Sequence, residues 1–300
     1  MIRYALTHRS RYDYSASAHH ARHLLHLLPR SLGRQQVVMA MLEITPLPDQ
    51  RIDEQDYFGN SLISVECLAA HQFFETLLDA QILIEPWTET LAVAQARNPL
   101  ALDALRARAL GDPALVEFLQ PTALTEADAA LRALGAASLM DGAMPAAGVT
   151  ALMQQIYSAF SYEQGVTTIA TTAQAAFARL AGVCQDYAHV MIAALRACGV
   201  PARYVSGYLR SASDLVVPDG SRGAEQTHAW VSVWLGPALG WRDFDPTNNV
   251  IVDCDHVILA LGRDYADISP VRGVILGGGA HTPHVSVSLR RMMDDYMPPG

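Results

Sequence analysis

Gly182-Val183-Cys184-Gln185-Asp186-Tyr187 places a cysteine directly before a segment with helical periodicity. The apolar residues of that segment recur three and four positions apart and so mark one buried face; they are Tyr187, Ala188, Met191, Ile192 and Leu195. The segment ends at Cys198-Gly199-Val200-Pro201, where glycine supplies a left-handed cap and proline blocks continuation. The pattern predicts a buried helix with Cys184 at its N-terminus.

A cysteine in that position is suited to nucleophilic chemistry. The unpaired backbone N–H groups and the positive end of the helix dipole favour a thiolate over a thiol. The same N–H groups can stabilise the oxyanion of a tetrahedral intermediate. A nucleophilic thiol also needs a base that takes its proton and a third group that orients the base. The chain after the helix supplies candidates for both.

Three predicted strands follow the helix, at residues 202–209, 228–234 and 241–245. His228 begins the second strand, and Asp243 and Asp245 share one face of the third. A helix followed by adjacent antiparallel strands lets the start of one strand and the end of the next face a cysteine at the helix tip. Spacing alone does not choose between Asp243 and Asp245.

The composition describes a globular chain. It has 300 residues, 51% hydrophobic and 17% charged, which is enough to bury at least one core. A formal net charge of −9 with no lysine–arginine run argues against nucleic acid or an anionic membrane as partner. No apolar stretch approaches the roughly 20 residues of a membrane-spanning helix, and the N-terminus lacks a signal-peptide pattern. We expect a cytoplasmic protein.

The cysteines support that expectation. There are four, none in a C-x-x-C pair, and they fit neither a disulfide framework nor a zinc knuckle. We interpret Cys67, Cys198 and Cys254 as buried small hydrophobic residues. This leaves Cys184 as the candidate nucleophile.

The character of the sequence changes along the chain and predicts an α+β protein. Residues 1–95 contain short β-branched and aromatic runs broken by turns, which indicate an antiparallel β module. Residues 96–160 are rich in alanine and leucine at helical spacing. Residues 161–262 contain the candidate catalytic residues and are the predicted catalytic core. Residues 263–300 include an alternating run at 284–289, predicted to be a strand that returns to the N-terminal sheet.

Residues 160–248 resemble the bacterial transglutaminase-like family, part of a papain-like superfamily. The matching segments are Phe160-Ser161-Tyr162, residues 182–189, residues 199–208, His228-Ala229-Trp230 and Phe244-Asp245-Pro246-Thr247-Asn248. His8-x3-Tyr12-x-Tyr14 is similar to the β module that precedes the core in that family. The resemblance implies a papain-like transglutaminase core, in which the helix carrying the cysteine packs on an antiparallel sheet, behind an N-terminal antiparallel β module. The helical middle segment is not covered.

The resemblance also implies roles. It maps the nucleophile to Cys184, the base to His228 and the orienting carboxylate to Asp245, because the family pattern places the acid before Pro-Thr. Tyr162 is a candidate second oxyanion donor, since the family carries an aromatic or polar group upstream of the cysteine; the alternative is a core tyrosine. Gln185 and Asp186 could line the mouth of the substrate groove or be solvated residues of the first helical turn.

The strongest competing chemistry is a metal site in residues 19–26. On a helix, His19, His23 and His26 would share a face and could hold zinc. In a strand, alternation splits these side chains between two faces, and no carboxylate or cysteine lies at ligand spacing nearby. We therefore expect no metal and no cofactor.

The predicted function is thiol-dependent acyl transfer on amide bonds of a peptide or protein substrate. Hydrolysis by a cysteine protease or amidase is preferred, because water is abundant and no amine pocket can be recognised. A protein-glutamine transglutaminase with an amine acceptor and a non-catalytic peptide-binding module are the alternatives. Residues 211–226 form a polar loop that is the predicted gate of the site.

Overall fold

The structure is a computed structural model that describes residues 1–210 and 227–292. Its N-terminal part consists of the strands β1 (Ile2–Leu25), β2 (Gln35–Thr45), β3 (Gln50–Gln55), β4 (Ser61–Cys67) and β5 (His71–Ile84). They form an antiparallel sheet in the order β2-β5-β1-β4-β3. The long β1 lies at its centre, because its first half pairs with β5 and its second half with β4. This sheet is the β module indicated by the sequence.

The middle of the chain is helical, as its alanine- and leucine-rich composition predicts. The helices are α1 (Leu91–Arg97), α2 (Leu102–Leu110), α3 (Pro113–Val116), α4 (Ala129–Ser138) and α5 (Pro145–Ala159). Thr90, Asp112 and Asp128 cap α1, α3 and α4 by accepting a hydrogen bond from an otherwise unpaired backbone N–H group. Among the described residues, every helix is too short or too polar to cross a membrane.

The core contains α6 (Ala173–Arg179), α7 (Cys184–Ala197) and the strands β6 (Ser161–Tyr162), β7 (Ala181–Gly182), β8 (Ala202–Leu209), β9 (Thr227–Trp234), β10 (Trp241–Asp245), β11 (Val250–Ile251) and β12 (His256–Gly262). The last five form an antiparallel sheet in the order β11-β10-β9-β8-β12. The short β6 and β7 pair in parallel just before the cysteine. The helix that carries Cys184 therefore begins at the end of a strand, and the predicted fold class is confirmed.

The five-stranded sheet is covered on both faces. Helix α7 packs on one face, where Met191, Ile192 and Val231 belong to one hydrophobic cluster. Tyr208 and Val257 of the same sheet belong instead to the cluster of the N-terminal β module. The β module thus covers the face of the core sheet that α7 does not. The domain boundaries at 95, 160 and 262 stay a prediction.

The C-terminal strands join the N-terminal sheet. They are β13 (Val271–Gly277) and β14 (His281–Arg291), and both pair with β1. The register of β14 runs from Tyr4 opposite Arg291 to Tyr14 opposite His281. The core lies between β1 and β14 in the sequence. The two ends of the described chain therefore meet in the N-terminal sheet.

Gly207 lies where the core sheet allows no side chain. A Cβ atom there would overlap the carbonyl oxygen of Val257 and come within 2.9 Å of the Trp230 ring. We expect Gly207→Ala to destabilise the protein by about 2–3 kcal/mol or more, because backbone and a buried ring must move. Urea unfolding measures the change.

Gly111 provides the matched control for this substitution. Its added Cβ atom would meet only ordinary contacts at 3.6 Å, and its backbone is in the right-handed region. Gly111→Ala should therefore change the free energy of unfolding by less than about 1 kcal/mol. Equal losses for the two variants would contradict the packing described for β8.

Candidate active site

The position of Cys184 is fixed by the turn that precedes it. The Asp186 carboxylate accepts hydrogen bonds from the Val183 backbone N–H at 2.8 Å and from the Thr167 hydroxyl at 2.7 Å. Gly182 leaves room for this carboxylate, since a Cβ atom there would lie 2.7 Å from its carboxyl carbon. Asp186 is three residues after the N-cap Val183, and its carboxylate caps the first turn of the helix. This cap explains why Gly182 and Asp186 stand at these spacings around Cys184.

His228 is the side chain that meets the Cys184 thiol. It is the second residue of β9 and lies opposite Gly207 of β8. Its Nε2 is 2.8 Å from Asp245 Oδ2, and the Cys184 side chain is near enough to raise the pKa of the ring. Because Asp245 takes Nε2, the nitrogen left for the sulfur is Nδ1.

Electrostatics favour a protonated His228. Burial lowers the pKa of this ring, but hydrogen bonds and charge interactions with Asp245 and Cys184 outweigh burial and raise the pKa to about 10. A protonated ring beside a thiol stabilises the thiolate. His228 is therefore an imidazolium at neutral pH.

Asp245 ends β10 and is fully buried. Its Oδ1 accepts hydrogen bonds from the backbone N–H groups of Thr247 and Asn248, and its Oδ2 accepts one from Asn248 Nδ2 at 2.7 Å. Burial alone would raise the pKa of this carboxyl, yet the hydrogen bonds to His228 and His256 hold it well below its usual range. Asp245 is thus a permanent anion behind His228.

The structure separates the two aspartates that spacing left equivalent. The Asp243 carboxylate accepts a hydrogen bond from Trp230 Nε1 at 3.0 Å. The carboxylate that contacts His228 belongs to Asp245. The turn after Asp245, with its two backbone donors, is what orients that carboxylate.

His256 is part of this group and was missed in the sequence. Its Nε2 is 3.0 Å from the same Asp245 oxygen that contacts His228, and it is buried. It begins β12, which is not a neighbour of β10 in the sheet. No motif surrounds it, so the only signal was a histidine at the start of a strand.

The ligand atoms of His228, Asp245 and His256 lie within 4.8 Å of one another, a spacing that could hold a metal ion. Both imidazole nitrogens already bond the carboxylate, and a metal would have to replace those hydrogen bonds. The expected absence of a metal stays a prediction.

His256 is expected to act as a positioning residue for Asp245. In His256→Leu the carboxylate loses one charge-assisted hydrogen bond, worth about 1.5–3 kcal/mol, so we expect kcat to fall about 10- to 100-fold. His256→Gln keeps an N–H donor and should recover most of the activity. The measurement is kcat and KM separately on a peptide substrate.

A purely structural role for His256 makes a different prediction. Both variants would then lower the melting temperature together, with kcat per folded molecule unchanged. That outcome would contradict the positioning role. Rescue by Gln with a constant KM supports it.

The other predicted site residues lie around the helix start. Tyr162 in β6 pairs with Gly182 in β7 and is 51% exposed. Burial and the nearby Cys184 raise the pKa of its hydroxyl, which places the phenol in the electrostatic environment of the thiol. Its role as an oxyanion donor stays a prediction.

Gln185 and Asp186 are buried, so their interpretation as solvated residues is wrong. The Gln185 side chain donates to the Ile169 carbonyl oxygen at 3.2 Å, and Asp186 bonds Thr167. Both therefore fasten residues 167–169 to the start of α7. Their role at the groove mouth stays a prediction, and the predicted gate at 211–226 lies outside the described residues.

His19, His20 and His23 lie in the second half of β1, and His26 follows directly after the strand. His20 contacts Glu66 at 2.8 Å, His23 stacks on Phe74, and His26 Nδ1 is 3.2 Å from the Ser269 carbonyl oxygen. His19 is exposed. The strand predicted as the alternative to a helix is the observed conformation.

Two family models match this chain. One, described as the transglutaminase-like superfamily, covers residues 133–246, and the other, described as the bacterial transglutaminase-like N-terminal region, covers residues 4–83. An uncharacterized protein of Mycobacterium leprae is 32% identical over 292 residues, which are 97% of this chain and 100% of that protein. The chain belongs to the bacterial transglutaminase-like family. The core match of this transglutaminase-like protein ends one residue after Asp245, so His256 lies beyond it.

Two further proteins are similar to this transglutaminase-like chain. A "Putative Cysteine Protease" from Cytophaga hutchinsonii superposes with a TM-score of 0.73 at 20% identity, over 99% of this chain and 93% of the other. This likeness shows a shared fold. A protein-glutamine gamma-glutamyltransferase of Pseudomonas aeruginosa is 35% identical over 119 residues, which are 36% of this chain and 16% of that protein.

Proposed function

We propose that this transglutaminase-like protein performs thiol-dependent acyl transfer on amide bonds, with hydrolysis as its main reaction. The observation that carries the proposal is the arrangement of His228, whose Nε2 bonds the Asp245 carboxylate and whose pKa is raised by the nearby Cys184 side chain. A non-catalytic peptide-binding groove would need neither a thiol beside a protonated imidazole nor a buried carboxylate behind it. Membership of a superfamily with transglutaminases and a cysteine-protease-like neighbour supports the same chemistry.

Each residue has one task in the reaction. The Cys184 thiolate attacks the amide carbonyl carbon, and the carbonyl electrons move to oxygen. When the tetrahedral intermediate collapses, the C–N bond breaks and His228 gives its proton to the departing amine. Water then attacks the thioester while His228 accepts a proton from it, and the acid leaves as the thiolate is restored. Asp245 holds the ring with Nδ1 towards the sulfur throughout.

The oxyanion is assigned to donors at the start of α7. The first backbone N–H groups of a helix have no partner within the helix and carry its positive dipole end. Because Cys184 is the first residue of α7, these groups lie beside the attacking sulfur. The Tyr162 hydroxyl is the proposed second donor.

Transfer to an amine is the second candidate, and the similarity to the Pseudomonas aeruginosa gamma-glutamyltransferase favours it. An amine would replace water in the attack on the same thioester. The proposed substrate in both cases is a peptide or protein, and the proposed location is the cytoplasm.

A peptide library incubated with and without an added primary amine tests the function. Mass spectrometry separates cleavage, deamidation of glutamine and amine incorporation in one experiment. Cleavage or deamidation that is unchanged by the amine supports hydrolysis, whereas amine adducts on glutamine support transfer. If the wild-type protein produces no mass shift beyond that of Cys184→Ala, the acyl-transfer proposal is wrong and a binding role is favoured.

A further inference from the structure

A cavity of about 340 Å³ lies between the N-terminal β module and the core sheet. This volume is in the range of small-molecule sites. Neither Cys184 nor His228 is part of its wall. The wall is largely apolar and includes Leu32, Ile84, Trp87, Trp241 and Val252. The cavity therefore lies apart from the thiol itself, but it reaches His256, which lines it and bonds Asp245.

Arg203 brings a positive charge into this wall. Its guanidinium stacks on Trp241 at 4.1 Å from the ring centroid, and its Nε is buried with no hydrogen-bond partner among the described residues. Burial lowers the pKa of Arg203 to about 10, which leaves it charged at neutral pH. A guanidinium whose buried Nε has no hydrogen-bond partner among the described residues is stabilised when such a partner arrives. The side chain is thus suited to receive an anionic group.

Asp243 brings a negative charge into the same wall. It attracts Arg203 electrostatically, yet its carboxylate is bonded to Trp230 Nε1 instead. The other guanidinium in the wall, Arg34, is already paired with Asp253 at 3.1 Å. A carboxylate can accept several hydrogen bonds, so Asp243 has capacity left.

The cavity thus presents a cation and an anion that are not bonded to each other, between aromatic walls. We propose that it binds a free α-amino acid with an apolar side chain, the carboxylate on Arg203 and the ammonium group on Asp243. The planar guanidinium can hold a carboxylate through two parallel hydrogen bonds. The apolar side chain packs against Ile84, Trp241 and Val252, because the guanidinium groups of Arg34 and Arg242 already lie over the Trp87 ring. Binding is non-covalent and does not involve the Cys184 thiol.

Calorimetric titration with three related probes tests the two charged contacts. L-Phenylalanine carries both charged groups, 3-phenylpropionate lacks the ammonium group, and L-phenylalaninamide lacks the carboxylate. We expect L-phenylalanine to bind with a dissociation constant of about 1 mM or tighter, from the affinity typical of small ligands per heavy atom. Each of the other probes should bind at least about tenfold more weakly.

Three variants locate the site. Arg203→Met should lose L-phenylalanine binding without a lower melting temperature, because it removes a charged group whose buried Nε has no hydrogen-bond partner in the described part of the chain. Asp243→Asn keeps the shape of the side chain and should weaken L-phenylalanine but not 3-phenylpropionate. Cys184→Ala should bind L-phenylalanine as the wild type does, because the thiol is not in the wall.

The proposal is overturned by any of three results: no binding of L-phenylalanine to the wild-type protein, equal binding of all three probes, or unchanged binding in Arg203→Met. Loss of binding in Cys184→Ala would place the ligand in the thiol site and would also overturn it. If Arg203→Met fails to fold, the probe series on the wild type and on Cys184→Ala decides. A failed acyl-transfer assay would leave these results unaffected.

Discussion

Replacing Cys184 with alanine is expected to abolish turnover of amide substrates, with a loss of at least about 10⁴-fold in kcat. The sulfur is the atom that forms the thioester, so no other side chain in the site replaces it. The thiol is only partly buried, and the helix cap at Asp186 does not involve it. We therefore expect the free energy of unfolding to change by less than about 1 kcal/mol. Steady-state kinetics and urea unfolding on the same preparation check both statements.

Cys198 provides the matched control for this variant. It lies at the other end of α7 and is also partly buried, and burial raises the pKa of its thiol. Cys198→Ala removes the same atom at the C-cap of α7 and should leave kcat within about threefold of the wild type. Turnover that survives in Cys184→Ala would contradict the assignment of the nucleophile.

Asp245→Asn is expected to have the second largest effect. The substitution keeps the size of the side chain but removes the charge that faces His228, and we expect kcat/KM to fall about 10²- to 10⁴-fold. Asp243→Asn is the matched control, because this carboxylate contacts Trp230 and not His228. It should retain at least about a third of the activity. Equal losses in the two variants would contradict the special role of Asp245.

The pH profile gives this pair of variants a second readout. In the wild type, His228 has a pKa of about 10 and is protonated at neutral pH. Activity that needs the imidazolium should therefore be constant at neutral pH and fall as the pH rises through about 10. Without the Asp245 charge, one of the causes that raise the pKa of His228 is lost, so the alkaline limb should move to lower pH. An unchanged limb in Asp245→Asn would contradict the electrostatic account.

The helix of Cys184 could be predicted because its signals are local. Apolar residues at helical spacing and the Gly199-Val200-Pro201 stop define its length, and α7 ends at Ala197 as expected. The approach of His228 and Asp245 followed from strand order, because β9 and β10 are consecutive and antiparallel. Motifs carried by one element or by adjacent strands were thus accessible from the sequence.

The contacts that could not be predicted depend on the pairing and packing of elements that are far apart in the sequence. His256 reaches Asp245 although β8 and β9 lie between their strands in the sheet. Arg203 faces the cavity only because the N-terminal module covers that side of the core sheet. The choice between Asp243 and Asp245 needed the turn at Thr247, since alternation gives both side chains the same face. Local periodicity does not contain such information.

The rate of alkylation of Cys184 by iodoacetamide, followed by peptide mass spectrometry as a function of pH, tests the thiolate–imidazolium pair most directly. Burial raises the pKa of the other three thiols, Cys67, Cys198 and Cys254, so they should react slowly and only at alkaline pH. The account predicts that Cys184 reacts far faster than these three and keeps its rate below pH 7. A Cys184 that reacts no faster than the other thiols, with a rate that rises only near the ordinary thiol pKa of about 8.5, would contradict it.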